Sequence, residues 1–275
     1  MKMKDKLNLA LCQCAPIWED ARANHQMFAA HIAAVAERVD VVVLPEMFTT
    51  GFTMDPIKVA QPMSGETVNW MNEQATRHNV VIVGSVVIEE QGHYYNRMIW
   101  ARPNATPLHY DKKHLFTFAG EDQHYSAGNK QVVIEIAGWK IACFVCFDLR
   151  FPVWCRNTDQ NKYDAALFIA SWPKARSPQW NALLRARAIE NQAYVVAVNR
   201  VGKDGNDIEY HGDSQLIDAL GNVLVHETET ESIKLVTLEK SQLQNNRAQF
   251  PFLKEADDHL LIESPVIKPL KRSFK

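Results

Sequence analysis

Cys146 is the residue whose type and position point most directly to covalent chemistry. It follows the apolar run WKIACFV and precedes FDLRFP, where a helix is expected to begin. A thiol at a junction between a strand and a helix is exposed at a sheet edge. Backbone N–H groups near such a junction can lower the pKa of the thiol and donate hydrogen bonds to an oxyanion. The alternative is a buried, unreactive cysteine, because free cysteine often packs inside cores.

Glu46 and Lys112 could assist such a nucleophile. Glu46 ends the apolar run VVVLPE, and burying a carboxylate there costs several kcal/mol unless the group is partnered. Apolar surroundings raise the pKa of a carboxyl group, which suits a general base near neutral pH. Lys112 ends the strand PLHYDK, and its cation could stabilise an oxyanion, while Lys113 should point the opposite way. Alternatively, Glu46 enters solvent and both lysines are solvated.

Cys143 and Cys146 form a C-x-x-C pair, which raises the alternative of a redox dithiol or a zinc site. Side chains alternate faces along a strand, so residues three positions apart point in opposite directions. Cys12 and Cys14 share a strand face, but no turn brings the two pairs to tetrahedral spacing. We therefore expect neither a metal site nor a disulfide from these residues.

Histidine offers a second possible base. A Cys–His hydrolase would use His114 or His124 to activate the thiol. The sequence contains no H-E-x-x-H spacing, no glycine loop that could hold a phosphate and no G-x-S-x-G turn. Zinc proteases, nucleotide-binding loops and serine hydrolases of that type are therefore not expected.

The elements that position these residues alternate between apolar strands and helices. The first third has a βαβαβ pattern, and the middle has strands joined by short turns, which predicts antiparallel hairpins. Strands are predicted over 7–13, 40–46, 80–89, 96–101, 107–112, 131–138, 139–146, 164–171, 193–200, 213–219, 222–227 and 232–239. Helices are predicted over 22–38, over 65–78 with Ser64 as N-cap, from about Phe151, and from Ser177 as N-cap to about Gln192.

No repeat, linker or low-complexity tract interrupts the chain. We expect one mixed α/β domain over residues 1–275, with about 240–275 as a C-terminal extension of little periodicity. So many strands require more than one sheet, which favours a two-sheet sandwich with outer helices.

Composition excludes several classes of partner. The chain has 275 residues, 47% of them hydrophobic, and a formal net charge of -2, so nothing attracts nucleic acid or an anionic membrane. The first residues are too polar for a signal peptide, and no run approaches the roughly 18 apolar residues of a membrane helix. Five cysteines without an export signal argue against a disulfide framework. We expect a cytoplasmic protein.

Three segments in order, LPEMFTTGF, YDKKHLF and CFDLRFP, resemble the nitrilase superfamily of carbon–nitrogen hydrolases. The similarity continues through SWPKARSPQW and HGDSQLIDALGNVL and is greatest to the omega-amidase branch. The resemblance implies a four-layer α-β-β-α sandwich of two mixed sheets with outer helices. It also implies a catalytic triad of Glu46, Lys112 and Cys146, with Glu121 as a second carboxylate. No metal or other cofactor is implied, and a homodimer or larger homo-oligomer is expected.

Omega-amidases hydrolyse the terminal amide of 2-oxoglutaramate and 2-oxosuccinamate to ammonia and the 2-oxo acid, so the resemblance implies a small-molecule amide substrate and a cysteine thioester. The free carboxylate of the substrate requires a cation in the protein, and Arg176 and Arg150 are the candidates. Phe116, Phe147 and Trp172 are expected to shape the pocket. The alternatives are a carbamoylase, a nitrilase, another amidase, or a catalytically silent binding protein on the same fold.

Overall fold

Residues 4–256, which the computed structural model describes, contain thirteen strands that form two sheets. The strands are β1 Lys6–Gln13, β2 Val41–Val43, β3 Val81–Glu90, β4 His93–Arg102, β5 Ala105–Asp111, β6 Val133–Ile136, β7 Trp139–Val145, β8 Ala165–Ala170, β9 Tyr194–Asn199, β10 Val201–Lys203, β11 Glu209–Ile217, β12 Val223–Thr228 and β13 Ser232–Glu239. The first sheet has the order β13-β1-β2-β3-β4-β5, and the second has β10-β11-β9-β8-β7-β6 with β12 beside β11.

Both sheets mix parallel and antiparallel pairs. β1, β2 and β3 are parallel neighbours, as are β7, β8 and β9, whereas the hairpins β3–β4, β4–β5 and β6–β7 are antiparallel. The predicted hairpins of the middle segment are therefore confirmed. The strands of that middle segment belong to two different sheets. β5 is an edge strand of the first sheet, and β6 is an edge strand of the second.

The helices are α1 Ala21–Val35, α2 Pro56–Val59, α3 Glu66–His78, α4 Glu121–His124, α5 Ser177–Asn191 and α6 Lys240–Gln249. Of these, α1 and α3 pack on the outer face of the first sheet, and α5 packs on the second sheet. In the first sheet, side chains alternate between two cores: Leu9 and Leu11 join the core shared with the second sheet, whereas Ala10 packs with Phe28 of α1. The predicted two-sheet sandwich with outer helices is confirmed.

Several predicted helix ends differ from the structure. Gly65, not Ser64, is the N-cap of α3, and Ser177 is the first residue of α5 rather than its cap. The helix predicted near Phe151 is wrong: a 3₁₀ helix spans Cys146–Arg150, and only turns follow it. The helix α6 was not predicted, because it buries only Leu243 and so lacks an apolar stripe.

The helices between residues 4 and 256 are not candidates for membrane insertion. Among residues 4–256, none of the helices combines the length and the apolar composition needed to cross a bilayer.

Candidate active site

Glu46 lies just beyond β2, in a turn that carries its carboxylate between the two sheets. The residue is completely buried. Its Oε1 accepts hydrogen bonds from Asn96 Nδ2 at 2.7 Å and Lys112 Nζ at 3.0 Å, and its Oε2 accepts one from the backbone N–H of Ser171 at 2.7 Å. Both oxygens are therefore partnered and held in one orientation, which offsets the cost of burying a carboxylate.

Lys112 follows β5 and places its ammonium between two buried carboxylates. Its Nζ lies 3.0 Å from Glu46 Oε1 and 2.9 Å from both carboxylate oxygens of Glu121. Burial lowers the pKa of Lys112, but the charges of Glu121 and Glu46 outweigh burial, so its pKa is raised and the group stays cationic. Lys113 turns the other way, with its Nζ 5.6 Å from the centre of the Trp154 ring.

Glu121 is the first residue of α4 and is completely buried. Besides the ammonium of Lys112, its Oε2 accepts a hydrogen bond from the backbone N–H of Phe116 at 2.6 Å. Burial raises the pKa of Glu121, while the charge of Lys112 opposes that shift. Two carboxylates thus share one buried cation, so this cluster would carry a net negative charge with all three groups ionised.

Cys146 directly follows β7, at the first position of the 3₁₀ helix. Its φ of 47° is in the left-handed region, which is uncommon for a side chain with a Cβ and marks a sharp turn of the chain. Burial raises the pKa of its thiol, and the charge of Glu46 raises it further, whereas Lys112 lowers it. The backbone N–H of Ser171, which donates to Glu46 Oε2, also lowers the pKa of this thiol. The sulfur and the Glu46 carboxylate are therefore neighbours around one N–H group.

Asp148 holds this turn in place, and the sequence analysis did not select it. Its Oδ2 accepts from the backbone N–H of Val145 at 3.0 Å and from the hydroxyl of Tyr110 at 2.7 Å, while its Oδ1 accepts from the N–H of His114 at 2.9 Å. A wholly buried carboxylate that ties β5 to the turn after β7 keeps Cys146 at a fixed position. Its place in CFDLRFP, two residues after the thiol, was the available signal.

The histidines proposed as alternative bases lie elsewhere. His114 pairs its Nδ1 with Asp148 Oδ1 at 2.8 Å and stacks on Phe151 at 3.6 Å between ring centres. His124 is exposed at the end of α4. The geometry supports Glu46, rather than a histidine, as the neighbouring base.

A cavity of about 200 Å³ opens onto the thiol. Cavities that hold drug-sized ligands are on the order of 300–1,000 Å³, so this one suits a smaller molecule. All five residues expected to bind the substrate or shape its pocket line this cavity. Its lining is Phe52, Met54, Phe116, Ala119, Cys146, Phe147, Arg150, Ser171, Trp172, Pro173, Arg176, Asn206, Ile208 and Tyr210.

Two arginines supply positive charge to this largely apolar cavity. The Cζ of Arg176 lies 5.0 Å from the ring centre of Phe116, and the Cζ of Arg150 lies 5.0 Å from that of Trp172. Stacking on aromatic rings restrains both guanidinium groups while leaving their N–H edges available. The cavity is therefore suited to a small anion with an apolar body.

Besides Asp148, three partners of the site were not predicted from the sequence: Asn96, Ser171 and the segment that carries Asn206. Asn96 could have been selected because its amide belongs to the apolar strand NRMIWA and so requires a buried partner. Ser171 could have been selected because it directly follows the buried strand β8. Nothing local distinguishes Asn206, because only the packing of the second sheet brings it to the cavity.

The cysteines and other potential ligands form no metal site in the part of the chain described. All five cysteines are free, and Cys143 packs beside Trp100 of the first sheet rather than pairing with Cys146. Between residues 4 and 256, no group of three His, Cys, Asp or Glu side chains is arranged to hold a metal ion.

Known proteins resemble this chain over most of its length. A protein named omega-amidase YafV from Yersinia enterocolitica is 44% identical over 93% of this chain and 99% of that protein. A 2-oxoglutaramate amidase from Bacillus subtilis is 32% identical over 78% of this chain and 84% of that protein. The crystal structure of XC1258 from Xanthomonas campestris, described as a CN-hydrolase superfamily protein with an arsenic adduct in its active site, has a TM-score of 0.91 at 41% identity and covers 93% of this chain and 98% of its own.

The family model described as carbon–nitrogen hydrolase matches residues 8–248. That range includes both sheets, the buried cluster and the cavity, and it confirms the resemblance to the nitrilase superfamily. The chain belongs to the carbon–nitrogen hydrolase family and is an amidase acting on C–N bonds.

Proposed function

We propose that the chain is an omega-amidase that hydrolyses the terminal amide of 2-oxoglutaramate or 2-oxosuccinamate, releasing ammonia and the 2-oxo dicarboxylic acid. The observation that carries the proposal is that one small cavity contains the thiol of Cys146 and two arginines, Arg150 and Arg176. The thiol is suited to attack on an amide carbon, and the arginines are suited to binding a carboxylate. Similarity to proteins named omega-amidase and 2-oxoglutaramate amidase supports the same substrate class.

The first half of the reaction forms a thioester. The thiol of Cys146 is protonated at neutral pH, because burial and the charge of Glu46 raise its pKa, so a base must accept the proton during attack. Glu46 takes that proton as the sulfur bonds to the amide carbon. Glu46 then donates it to the amide nitrogen, the C–N bond breaks, and ammonia leaves.

The oxyanion of the tetrahedral intermediate requires donors that are already in place. Lys112 supplies a buried cation, and the backbone N–H of Phe147 lies in the first turn of the 3₁₀ helix, where N–H groups have no partner within the helix. Glu121 binds Lys112 through both carboxylate oxygens and holds its ammonium in position. We therefore assign Glu121 to the orientation of Lys112.

The second half of the reaction hydrolyses the thioester. Water enters the position that ammonia leaves, Glu46 accepts a proton from it, and the resulting hydroxide attacks the thioester carbon. The carbon–sulfur bond breaks, the thiol regains its proton from Glu46, and the 2-oxo acid departs. The balance is one amide and one water converted to one acid and one ammonia, with all proton transfers made by Glu46.

Substrate preference tests the function directly. We expect ammonia release from 2-oxoglutaramate to have a kcat/KM at least about tenfold above that for a neutral amide of similar length, because a charge-assisted hydrogen bond contributes about 1.5–3 kcal/mol. The comparison is made with purified protein on 2-oxoglutaramate, 2-oxosuccinamate, a neutral aliphatic amide of similar length, N-carbamoyl amino acids and aliphatic nitriles. Faster turnover of a carbamoyl compound or a nitrile would contradict the proposal.

Arg176 is expected to bind the carboxylate of the substrate. Arg176→Met should raise KM for 2-oxoglutaramate by about 10-fold to 100-fold, the loss of one charge-assisted interaction, while kcat changes little. Arg185→Met is the matched control, since Arg185 is an exposed arginine of α5 outside the cavity. Steady-state kinetics measure both; an unchanged KM in Arg176→Met would assign the carboxylate to Arg150 instead.

The oligomeric state of the protein and its cellular compartment are also proposed here. We propose a homodimer or larger homo-oligomer, as expected from the family resemblance, and light scattering on the purified protein measures it. We also propose that the protein acts in the cytoplasm, which is supported by five cysteines that are all free.

A further inference from the structure

A short hairpin closes one side of the cavity and has no part in the chemistry described above. It spans residues 204–210, which are the loop between β10 and β11 and the first two residues of β11. Asn206, Ile208 and Tyr210 of this hairpin line the cavity together with Cys146. Alternate residues of one short segment thus face the substrate space, while the buried cluster of Glu46 and Lys112 lies between the sheets.

Asp204 organises the hairpin through its own side chain. Its Oδ1 accepts hydrogen bonds from the backbone N–H of Asn206 at 2.8 Å and of Ile208 at 3.1 Å, and its Oδ2 accepts one from the hydroxyl of Tyr210 at 2.8 Å. Its backbone N–H also donates to the carbonyl oxygen of Ile208 at 3.1 Å. One carboxylate therefore sets the position of all three residues that line the cavity.

The base of the hairpin is packed tightly against the rest of the domain. Arg200 is completely buried, its Cζ lies 4.6 Å from the ring centre of Tyr210, and its Nη2 donates to the carbonyl of Lys203 at 3.0 Å. Gly205 lies against Trp18 so closely that an added Cβ would come within 2.5 Å of the indole ring. The wall is thus held in a defined conformation, as a surface that discriminates between substrates must be.

We propose that this hairpin binds the end of the substrate remote from the reacting amide, with the side-chain amide of Asn206 donating a hydrogen bond to the 2-oxo group. The inference rests on the proposed function and deepens it. An arginine selects a carboxylate but does not distinguish a neighbouring carbonyl from a methylene, whereas the neutral NH₂ of Asn206 suits a carbonyl oxygen. Ile208 contacts the methylene groups, and Asp204 is a positioning residue.

The test compares two substrates that differ only at the carbon next to the carboxylate: 2-oxoglutaramate, and glutaramate, which has a methylene in place of the carbonyl. Asn206→Ala should reduce the preference for 2-oxoglutaramate, expressed as the ratio of the two kcat/KM values, by roughly 2-fold to 10-fold, the loss of one neutral hydrogen bond. The change should appear in KM. Asp204→Ala should reduce the same ratio, and Asp204→Asn should restore part of it, because one acceptor oxygen remains.

Asp207→Asn provides the matched control, because asparagine tolerates the left-handed φ of 60° at this position. Asp207 is an exposed carboxylate on the same hairpin that does not line the cavity, so its removal should leave the ratio unchanged. The rate of alkylation of Cys146 by iodoacetamide should stay at the wild-type value in every variant, which separates a change in substrate binding from damage to the reacting groups. A merely structural role would lower kcat for both substrates equally.

Two contrary results have different meanings. Wild-type protein that hydrolyses 2-oxoglutaramate, combined with an unchanged ratio in Asn206→Ala, overturns the hairpin proposal alone. Wild-type protein that releases no ammonia from 2-oxoglutaramate overturns the proposed function and this inference with it. Asn206 is exposed, so its truncation tests the proposal even if Asp204→Ala fails to fold.

Discussion

Cys146→Ala is expected to lower kcat for amide hydrolysis by on the order of 10⁵-fold or more, because no other group in the cavity can form the thioester. The remaining activity would come from binding and from the oxyanion donors alone. The fold should be retained, since alanine removes only the sulfur atom from a position at the cavity surface. Mass spectrometry during turnover of 2-oxoglutaramate should show an acylated wild-type protein and an unmodified variant.

The matched control for this variant is Cys143→Ala. Cys143 lies in the preceding strand, is completely buried and packs beside Trp100. Its truncation leaves a small cavity and lowers stability modestly, without touching the reacting groups. Activity near the wild-type rate in Cys146→Ala, or acylation found on Cys143, would contradict the mechanism.

Lys112→Met is the second variant with a large expected effect, on rate and stability together. Removing an oxyanion donor costs roughly 10²-fold to 10³-fold in kcat. The substitution also leaves Glu46 and Glu121 buried without their shared cation, and breaking a buried ion pair in this way costs about 3–5 kcal/mol of folding free energy. Ammonia release and chemical denaturation measure the two effects.

The lost stability of Lys112→Met should depend on pH. The pKa of Glu121 is already raised by burial in the native protein, and loss of the neighbouring ammonium raises it further. The folded variant then binds a proton more tightly than the unfolded chain does, so lowering the pH stabilises the fold relative to pH 7. The deficit against wild type should shrink between neutral pH and the ordinary pKa of glutamate, about 4.3.

Lys113→Met is the control for both measurements. It removes the same charge from the adjacent residue, whose ammonium lies over Trp154 and makes no contact with the buried carboxylates. We expect activity close to wild type and a small change in stability. Loss of turnover in Lys113→Met with activity retained in Lys112→Met would exchange the roles of the two lysines.

Most of the sheet structure could be predicted from local pattern. Apolar runs such as VVVLPE and DAALFIAS bury both faces between a helix layer and the opposite sheet, so they are recognisable without tertiary information. Helix ends were less predictable. The helix expected near Phe151 was replaced by a 3₁₀ turn at Cys146, where Asp148 accepts the backbone N–H of the distant His114 and the hydroxyl of the distant Tyr110. The helix propensity of a short segment does not reflect hydrogen-bond partners that come from other parts of the chain.

Local sequence was sufficient to identify the side chains with reactive chemistry and the strands that carry them: a thiol, a carboxylate and an ammonium, each at the end of a predicted strand. It did so because strand burial and side-chain chemistry are local properties. Three features follow only from the packing of the two sheets: Glu46, Lys112 and Glu121 share buried hydrogen bonds, the backbone N–H of Ser171 holds Glu46, and the 204–210 hairpin forms one wall of the cavity. These contacts join residues far apart in the chain, and their geometry follows from how the two sheets pack.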